Sequence, residues 1–203
     1  MSKVEDAAPG DAPALCALQL NAFDSPDFVE MFPEPYTLAS WAGFVQRSVS
    51  VQPGLQTRVV LLRSEQGQAE AACLLHIARD KDAAAELYRP WEESWGAALP
   101  GMSVDKLDAF FGGMKTQHEA IMGAVPHIHL EVLMTHATAR RRGHGMTLLL
   151  FANAVADEMR LPLYLDADDD AVGLYKRAGY VQQADEVRTS KIFVPMVRAP
   201  ATS

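Results

Sequence analysis

The 203-residue chain is poor in cysteine and in positive charge. Its two cysteines, Cys16 and Cys73, form no CxxC pair, so the usual structural zinc motifs are excluded and two buried thiols in a reducing compartment are expected. Lysine and arginine together number 18 against 26 aspartate and glutamate residues, which gives a net charge of −8. Because general nucleic-acid binders are basic, this balance predicts no nucleic-acid partner and favours a neutral or cationic small molecule.

Long apolar segments are also absent. No run approaches the roughly 18 residues of a membrane span, and the N-terminal residues lack the apolar h-region of a secretory signal. The sequence therefore predicts a cytoplasmic protein without a membrane partner. With 49% apolar and 22% charged residues over this length, one domain spanning residues 1–203 is expected, and its core needs neither a metal nor a disulfide.

Hydrophobic periodicity predicts a mixed α/β architecture. Helices are expected at residues 11–23, 37–48, 103–121, 143–160 and 169–177, and strands at 3–6, 57–63, 69–77, 128–134, 162–166, 180–183 and 191–196. Residues 24–36 contain three prolines and are expected to be mostly loop. Residues 80–126 show no strand pattern and are expected to form a helical insertion. This order implies a mixed sheet with helices on both faces.

Residues 130–145, LEVLMTHATARRRGHG, carry the main chemical signal. A strand ends there, a glycine-containing turn follows, and a helix begins at once. Gly143 and Gly145 allow the main chain to approach a ligand closely, and the unpaired amides of a first helical turn attract phosphate. Three preceding arginines add positive charge. On these residues alone, a tight turn beside a solvated basic run stays open as the alternative.

The glycine turn differs from the common nucleotide-binding motifs. The GxxxxGK[ST] pattern of a P-loop is absent, and the third glycine of a Rossmann fingerprint is missing. Residues 140–145 instead resemble the [Q/R]-x-x-G-x-[G/A] pyrophosphate loop of the GCN5-related N-acetyltransferase (GNAT) family. LYLDA at residues 163–167 resembles that family's fifth strand, and LYKRAGY at residues 174–180 resembles its LYxRxGF segment.

The run LMTHATARRRGHG is also similar to that of small fungal acetyltransferases, although Ala137 stands where those proteins usually have proline. The resemblance implies the GNAT fold, a central twisted and mostly antiparallel sheet with a splay between strands 4 and 5. Acetyl-CoA is the implied cosubstrate, and no metal is expected. The implied cofactor-binding residues are Leu133, Met134, Thr135, Arg140, Arg141, Arg142, Gly143, His144 and Gly145.

The resemblance further implies that an acceptor amine attacks the thioester directly. Tyr175 matches the tyrosine that protonates the departing CoA thiolate in many family members, although a core aromatic residue is the alternative. Glu131 and His129 lie two residues apart on one predicted strand and share a face, which makes each a candidate base. Either could instead be an ordinary polar residue of a strand.

Further polar clusters have simpler interpretations. His127, His129 and His136 are not accompanied by the cysteine or carboxylate spacing of a metal site. Asp166 and residues 168–170 form an acidic run at a predicted helix start, where caps and dipole partners are expected. The alternative is that Asp168 or Asp169 faces a cationic amine.

The sequence as a whole therefore predicts an acetyl-CoA-dependent N-acetyltransferase that acts on a small amine or an exposed amino group. Trp91 and Trp95 could roof the acceptor pocket, or belong to a core or dimer contact. A monomer and a homodimer are both open. The alternative function is an acyl-CoA-binding regulatory module without catalytic turnover, which would need the glycine turn but not Tyr175.

Overall fold

The computed structural model describes residues 3–50 and 54–201 and contains a seven-stranded sheet with flanking helices. The strands are β1 (Val4–Asp6), β2 (Gln56–Arg63), β3 (Ala69–Ala78), β4 (His127–Thr135), β5 (Leu163–Asp168), β6 (Val181–Gln182) and β7 (Phe193–Arg198). The helices are α1 (Ala12–Ala22), α2 (Pro26–Met31), α3 (Glu34–Ser48), α4 (Lys81–Glu86), α5 (Trp91–Trp95), α6 (Val104–Met122), α7 (His144–Met159) and α8 (Val172–Arg177). Within the described ranges, no helix is long and apolar enough to cross a membrane.

The strand order is β1-β2-β3-β4-β5-β7-β6, and every neighbouring pair is antiparallel except β4 and β5. This confirms the predicted mixed, mostly antiparallel sheet with helices on both faces. The polar turn between β2 and β3 contains Gly67 at φ 83°, a left-handed conformation that glycine adopts without a steric penalty. β2 and β3 pair antiparallel across this turn and form a hairpin.

The sheet separates two apolar cores that are covered by different helices. On one face, Leu148 and Ala152 of α7 share a core with Cys73 and Leu75 of β3. On the other face, α1, α3, α5 and α6 enclose a second core that contains Trp41. Because both faces are covered, the central strands are apolar along most of their length rather than alternating.

β4 and β5 run parallel but pair only where both strands begin. Ile128 pairs with Leu163 and His129 pairs with Tyr164, and beyond these residues the two strands separate. The predicted splay is therefore confirmed. Since β5 remains paired with β7 along its whole length, the opening lies between β4 and β5 alone.

A bulge in β4 lies beside this opening. The neighbouring strand β3 pairs Leu74 with Val132 and Leu75 with Leu130, which leaves Glu131 as the extra residue of β4. The bulge breaks the usual alternation of side chains, so Glu131 is directed towards the same side of the sheet as Val132, which belongs to the core under α1.

The prediction of a loop at residues 24–36 is wrong. The Ser25 side chain accepts a hydrogen bond from the Phe28 N–H at 3.3 Å and caps α2, whose first residue is Pro26. α3 begins at Glu34, three residues before the predicted start, with Pro35 in its first turn. Proline lacks an N–H, but the first turn of a helix does not need that donor, so these prolines begin helices here.

Residues 80–126 contain α4, α5 and α6 and no strand, as the sequence predicts. α6 begins after Ser103, whose side chain accepts a hydrogen bond from the Lys106 N–H. Its inner residues Gln117 and His118 are buried against the splayed region of the sheet. This helix therefore supplies one wall of the site described next.

Candidate active site

A cavity of about 1300 Å³ lies over the opening between β4 and β5. Its floor includes His129, Glu131 and Leu133 of β4 and Asp166 of β5, and Tyr175 of α8 reaches it from the far side. The remaining walls come from α1, α2, α5 and α6, which place an aromatic lining around the floor. Aromatic residues on the lining are Phe23, Phe28, Phe32, Trp91, Trp95, Phe110, Phe111 and Phe193.

A second cavity of about 410 Å³ lies at the start of α7. The turn that forms it has two residues in left-handed conformations, Arg141 at φ 63° and Gly143 at φ 88°. α7 begins immediately after this turn, so the first main-chain N–H groups of the helix have no partner one turn earlier. Together with the positive end of the helix dipole, they form a place suited to phosphate oxygens.

Glu131 is held as an anion in the wall of the large cavity. Its Oε2 lies 2.7 Å from His76 Nε2, and its Oε1 accepts a hydrogen bond from Trp95 Nε1. Burial alone would raise the pKa of Glu131, but the neighbouring His76 and the hydrogen bonds from His76 and Trp95 lower it to about 2. Such a carboxylate attracts a cation strongly and accepts a proton poorly.

Asp166 has the opposite electrostatic character. Its Oδ1 accepts hydrogen bonds from the Tyr164 hydroxyl at 2.8 Å and from Gln117 Nε2. Burial raises the pKa of Asp166 to about 7, although both hydrogen bonds oppose that rise, and the charge of Glu131 adds to it. Asp166 is therefore a carboxyl group that exchanges its proton near neutral pH.

Tyr175 is buried on α8 and contributes to the cavity lining. Burial raises the pKa of its hydroxyl well above the usual value, and the nearby Asp168 adds to this effect. Its ring meets that of Tyr180 edge-on, with centroids 5.8 Å apart. At neutral pH Tyr175 therefore carries its proton and can act as a donor.

Residues 107–199 match the sequence profile of the acetyltransferase (GNAT) domain. This match spans slightly under half of the 203 residues. A search of curated proteins found no match. The matched residues include α6, the splayed strands, the glycine turn and α8, and thus most of the site. The family resemblance of the sequence and the enzyme class that it implies are confirmed by this match.

Solved structures with the same fold cover almost the whole chain. PaiA N-acetyltransferase from Thermoplasma acidophilum, in complex with coenzyme A, has a TM-score of 0.64 at 11% identity, over 98% of this chain and 99% of that chain. The histone acetyltransferase HPA2 and related acetyltransferase from Corynebacterium glutamicum has a TM-score of 0.58 at 19% identity, over 100% and 98% of the two chains. A mosquito arylalkylamine N-acetyltransferase like 5b has a TM-score of 0.60 at 13% identity, over 98% and 100%. At these identities the likeness concerns the fold.

The predicted cofactor-binding residues of this GNAT domain divide between the two cavities. Leu133 lines the large cavity, Arg140 lines both, and the small cavity is lined by Thr135, Arg141, Gly143, His144 and Gly145. Met134 and Arg142 line neither. The Met134 side chain is buried in the core under α1, and Arg142 is exposed.

Side chains in the glycine turn are partly engaged by other parts of the protein. Arg140 Nη2 donates to the carbonyl of Ala22 at 2.7 Å and so ties the turn to the end of α1. Glu70 of β3 lies 3.1 Å from His144 Nε2 and 3.5 Å from Arg142 Nη1. The main-chain amides of the turn are therefore better placed to bind phosphate oxygens than its cationic side chains.

The histidines near the site form a buried polar pair. His127 Nδ1 lies 2.6 Å from the carbonyl oxygen of Val125, and His118 Nε2 lies 2.7 Å from His127 Nε2. Because a carbonyl only accepts, His127 carries its proton on Nδ1 and His118 donates from Nε2. Burial lowers the pKa of His118, His127 and His129, the last to about 3, so all three are neutral at pH 7.

His136 lies apart from these histidines and contacts Thr138. Within residues 3–50 and 54–201, no group of three His, Cys, Asp or Glu side chains is arranged to hold a metal ion. Two of the alternatives that the sequence leaves open concern the large cavity. Trp91 and Trp95 both line it, and so do Asp168 and Asp169. Both tryptophans also belong to the apolar core under α1. Asp166 lies on β5, as its strand pattern predicts, but its side chain lines the cavity and does not cap a helix.

Proposed function

We propose that this protein transfers the acetyl group of acetyl-CoA to a primary amine by direct attack of the amine on the thioester. The observation that carries this proposal is the placement of the glycine turn at α7 and the splay between β4 and β5 in two cavities that share Arg140 in their linings. A phosphate-binding turn at one end and paired acid–base groups at the other are what acyl transfer from a CoA thioester requires.

The cosubstrate would occupy the splay with its pyrophosphate at the amides of residues 141–145. Beyond the pair formed by His129 and Tyr164, β4 has no strand partner on the side of β5. Its main chain around Leu133 and Thr135 is therefore available to pair with the amides of the pantetheine arm. A main-chain N–H near Leu133 would polarise the thioester carbonyl.

Glu131 and Asp166 have different roles towards the acceptor amine: Glu131 attracts the ammonium, and Asp166 takes its proton. The acceptor ammonium is drawn to the Glu131 anion and gives one proton to the Asp166 carboxylate, which becomes the neutral acid. The resulting free amine adds to the carbonyl carbon of the thioester. His129, neutral and buried beside them, is suited to accept a hydrogen bond from the same nitrogen. Glu131 and His129 remain candidate bases, but the pKa of Asp166 fits that task better.

Tyr175 completes the reaction as the acid. When the tetrahedral intermediate collapses and the carbon–sulfur bond breaks, the Tyr175 hydroxyl gives its proton to the CoA thiolate. The attacking nitrogen loses its second proton to solvent, Asp166 releases to solvent the proton that it took from the ammonium, and solvent returns one proton to Tyr175. No covalent intermediate on the protein is needed, because positioning and carbonyl polarisation lower the barrier.

The acceptor is proposed to be a small-molecule amine or the exposed amino group of a peptide. The solved structures include an arylalkylamine N-acetyltransferase-like protein and the ribosomal-protein-S18-alanine N-acetyltransferase from Escherichia coli, so the same fold occurs in proteins named for different acceptors. One domain over residues 1–203, a cytoplasmic location, and the absence of nucleic-acid, membrane and metal partners stay predictions, as does the likeness to small fungal acetyltransferases.

Replacing Tyr175 tests this mechanism. Tyr175→Phe removes the proposed proton donor and keeps the ring, so kcat should fall roughly 10- to 100-fold while the Kd for acetyl-CoA stays unchanged. The matched control is Tyr180→Phe, because the Tyr180 hydroxyl is buried without a hydrogen-bond partner and lies outside the cavity lining. Steady-state CoA release with a panel of primary amines, together with calorimetric titration, measures both quantities.

Two outcomes would contradict the proposal. A fall in acetyl-CoA affinity with unchanged turnover in Tyr175→Phe would remove this residue from the proton transfer. Tight binding of acetyl-CoA by the wild-type protein, without acetylation of any amine, would favour the regulatory module.

A further inference from the structure

Gln117 of α6 makes three polar contacts with two other parts of the chain. Its Oε1 accepts hydrogen bonds from the main-chain N–H groups of Thr189 at 3.1 Å and Ser190 at 2.9 Å. Its Nε2 donates to Asp166 Oδ1 on β5. Gln117 is fully buried, so each of these contacts replaces one that water would otherwise make.

The orientation of the Gln117 amide follows from chemistry. Main-chain N–H groups only donate, so the atom that faces Thr189 and Ser190 is the amide oxygen. The NH₂ group then points to Asp166, where it serves as a donor to the carboxylate. Reversing the amide would place NH₂ against two N–H donors and the oxygen against a carboxylate, leaving all of them unsatisfied.

The segment that holds the amide oxygen is itself packed closely on α6. The Thr189 hydroxyl donates to the carbonyl of Gly113 at 2.7 Å. A Cβ atom added at Gly113 would lie 2.9 Å from Ser190 Cα, closer than real Cβ contacts allow. The absence of a side chain at Gly113 therefore lets residues 189–190 approach the helix closely enough to reach Gln117.

We propose that Gln117 is a positioning residue for acetyl transfer, which holds Asp166 through an amide that the main chain of Thr189 and Ser190 keeps in one orientation. Both hydrogen bonds that Asp166 receives, from Gln117 and Tyr164, go to Oδ1. The carboxylate is thereby fixed by one oxygen, and its other oxygen is left for the acceptor. This inference rests on the proposed function, in which Asp166 takes the proton of the acceptor.

The Gln117 contact also sets the pH range in which Asp166 works. The hydrogen bond favours the carboxylate and lowers the pKa of Asp166 from the level that burial would impose. Titratable groups that share the cavity wall or contact Asp166 come from every element around it: Lys115, His118 and Asp108 of α6, His76 of β3, His129 and Glu131 of β4, Tyr164 and Asp168 of β5, Asp169 and Asp170 after β5, Tyr175 of α8, Arg140 of the glycine turn, and Asp24, Asp27, Glu86, Arg89 and Glu92 of the helical walls. Among them, the charge of Glu131 acts against the carboxylate form of Asp166.

Two substitutions test separately the contact of Gln117 with Asp166 and the packing of residues 189–190 on α6. Gln117→Glu keeps an acceptor for Thr189 and Ser190 but replaces the donor to Asp166 by a carboxylate oxygen. Gly113→Ala keeps Gln117 and displaces residues 189–190, although residue 113 has no place in the cavity lining. Both should move the acidic limb of the pH profile of kcat/KM for the amine to higher pH, by about one pH unit or tenfold in the proton dissociation constant. The Kd for acetyl-CoA should not change.

Thr116→Ala is the matched control on α6, because its exposed hydroxyl contacts only the carbonyl of Gly112. It should leave the pH profile unchanged. A uniform loss of activity in Gln117→Glu and Gly113→Ala, with the midpoint of the acidic limb unmoved, would show a purely structural role and overturn the proposal.

The titration of the Asp166 carboxyl carbon, followed by NMR in ¹³C-labelled protein, gives a readout that does not depend on turnover. We expect the Asp166 midpoint to rise in both variants and to stay unchanged in Thr116→Ala. Unmoved Asp166 midpoints would overturn the positioning role even in an active enzyme. A raised midpoint in a protein that acetylates no amine would instead place the failure in the proposed function.

Discussion

At the scale of single residues, the site depends on two carboxylates with opposite proton affinities. Glu131 is stabilised as an anion by His76 and Trp95, and its pKa is about 2. Burial has the largest effect on Asp166 and raises the pKa of its carboxyl group to about 7. When two acids in one cavity differ in this way, the one with the lower pKa supplies charge and the other exchanges protons.

Asp166→Asn tests this division directly. Asparagine keeps an oxygen that can accept from both Gln117 and Tyr164 but cannot take a proton from the acceptor. We expect kcat/KM for the amine to fall roughly 10²- to 10⁴-fold with little change in acetyl-CoA affinity. Steady-state kinetics and calorimetry provide the measurement. Wild-type turnover in this variant would return the role of base to Glu131 or His129.

The same substitution should change how stability depends on pH. The folded protein binds the Asp166 proton more tightly than the unfolded chain, so this residue lowers stability as pH rises from about 4 to 7. Asp166→Asn removes that loss and should raise the free energy of unfolding above pH 7 by roughly 2–4 kcal/mol. Urea unfolding at pH 5 and pH 8 measures the difference, and an equal effect at both pH values would contradict the raised pKa.

The importance of Asp166 is not visible in its local sequence. It begins an acidic run, and acidic residues at a helix start are usually caps. Its burial and its partner Gln117 come from α6, 49 residues away in the chain, and periodicity carries no information about that packing. Tyr175 and Glu131 were predicted as candidates because a family motif and the two-residue period of a strand are local signals.

At the scale of secondary structure elements, the turn before α7 is the clearest link between conformation and ligand. Gly143 adopts φ 88° there, and a Cβ atom added to it would meet no atom within 4 Å. A side chain added at residue 143 would therefore be unfavourable because of main-chain strain and not because of a steric clash. Any effect of a small substitution on acetyl-CoA binding would thus come from the shape of the turn.

Gly143→Ala has an unusually close control in Gly67→Ala. Gly67 lies in the β2–β3 hairpin at φ 83° and likewise has open space around it. Both variants should lose about 1–2 kcal/mol of stability from the same strain. Only Gly143→Ala should weaken acetyl-CoA binding, by roughly tenfold or about 1.4 kcal/mol, as measured by calorimetry. Equal affinities in the two variants would move the pyrophosphate away from this turn.

Helices and strands with a strong hydrophobic pattern were predicted well, whereas a helix that depends on a side-chain cap was not. The apolar runs of β2, β3 and β4 and the periodic stripe of α7 each lie within a few residues of their predicted bounds. α2 was missed because its proline suggested a loop, whereas the Ser25 cap makes that proline the first residue of a helix. The β4 bulge was also not predictable, since it depends on the register with β3.

At the scale of the whole molecule, the net charge of the chain and the charge of the cavity lining are both negative. The chain carries a net charge of −8, and several carboxylates line the cavity, among them Asp27, Asp108, Asp168, Asp169 and Asp170. These carboxylates outnumber the cationic side chains of the lining, Arg89, Lys115 and Arg140, and an excess of one sign of charge concentrates ligands of the opposite sign and speeds their association. The whole-molecule field therefore favours cationic acceptors.

The salt dependence of turnover tests this field. For a diamine such as 1,4-diaminobutane, kcat/KM should fall more steeply with sodium chloride than for butylamine, because two charges are screened instead of one. Asp170→Asn should reduce the slope for the diamine. CoA release measured between about 20 and 300 mM sodium chloride gives both slopes. Equal slopes for the two amines would show that electrostatic attraction does not draw the acceptor to the cavity.

The central claim is acetyl transfer from acetyl-CoA to an amine, and one measurement tests it most directly. Purified wild-type protein is incubated with acetyl-CoA, with and without a panel of primary amines, while free CoA thiol is followed and products are identified by mass spectrometry. We predict CoA release that depends on an amine and is matched by an equal amount of its N-acetyl product. Folded protein that forms no acetylated amine, whether or not acetyl-CoA binds, would contradict the claim.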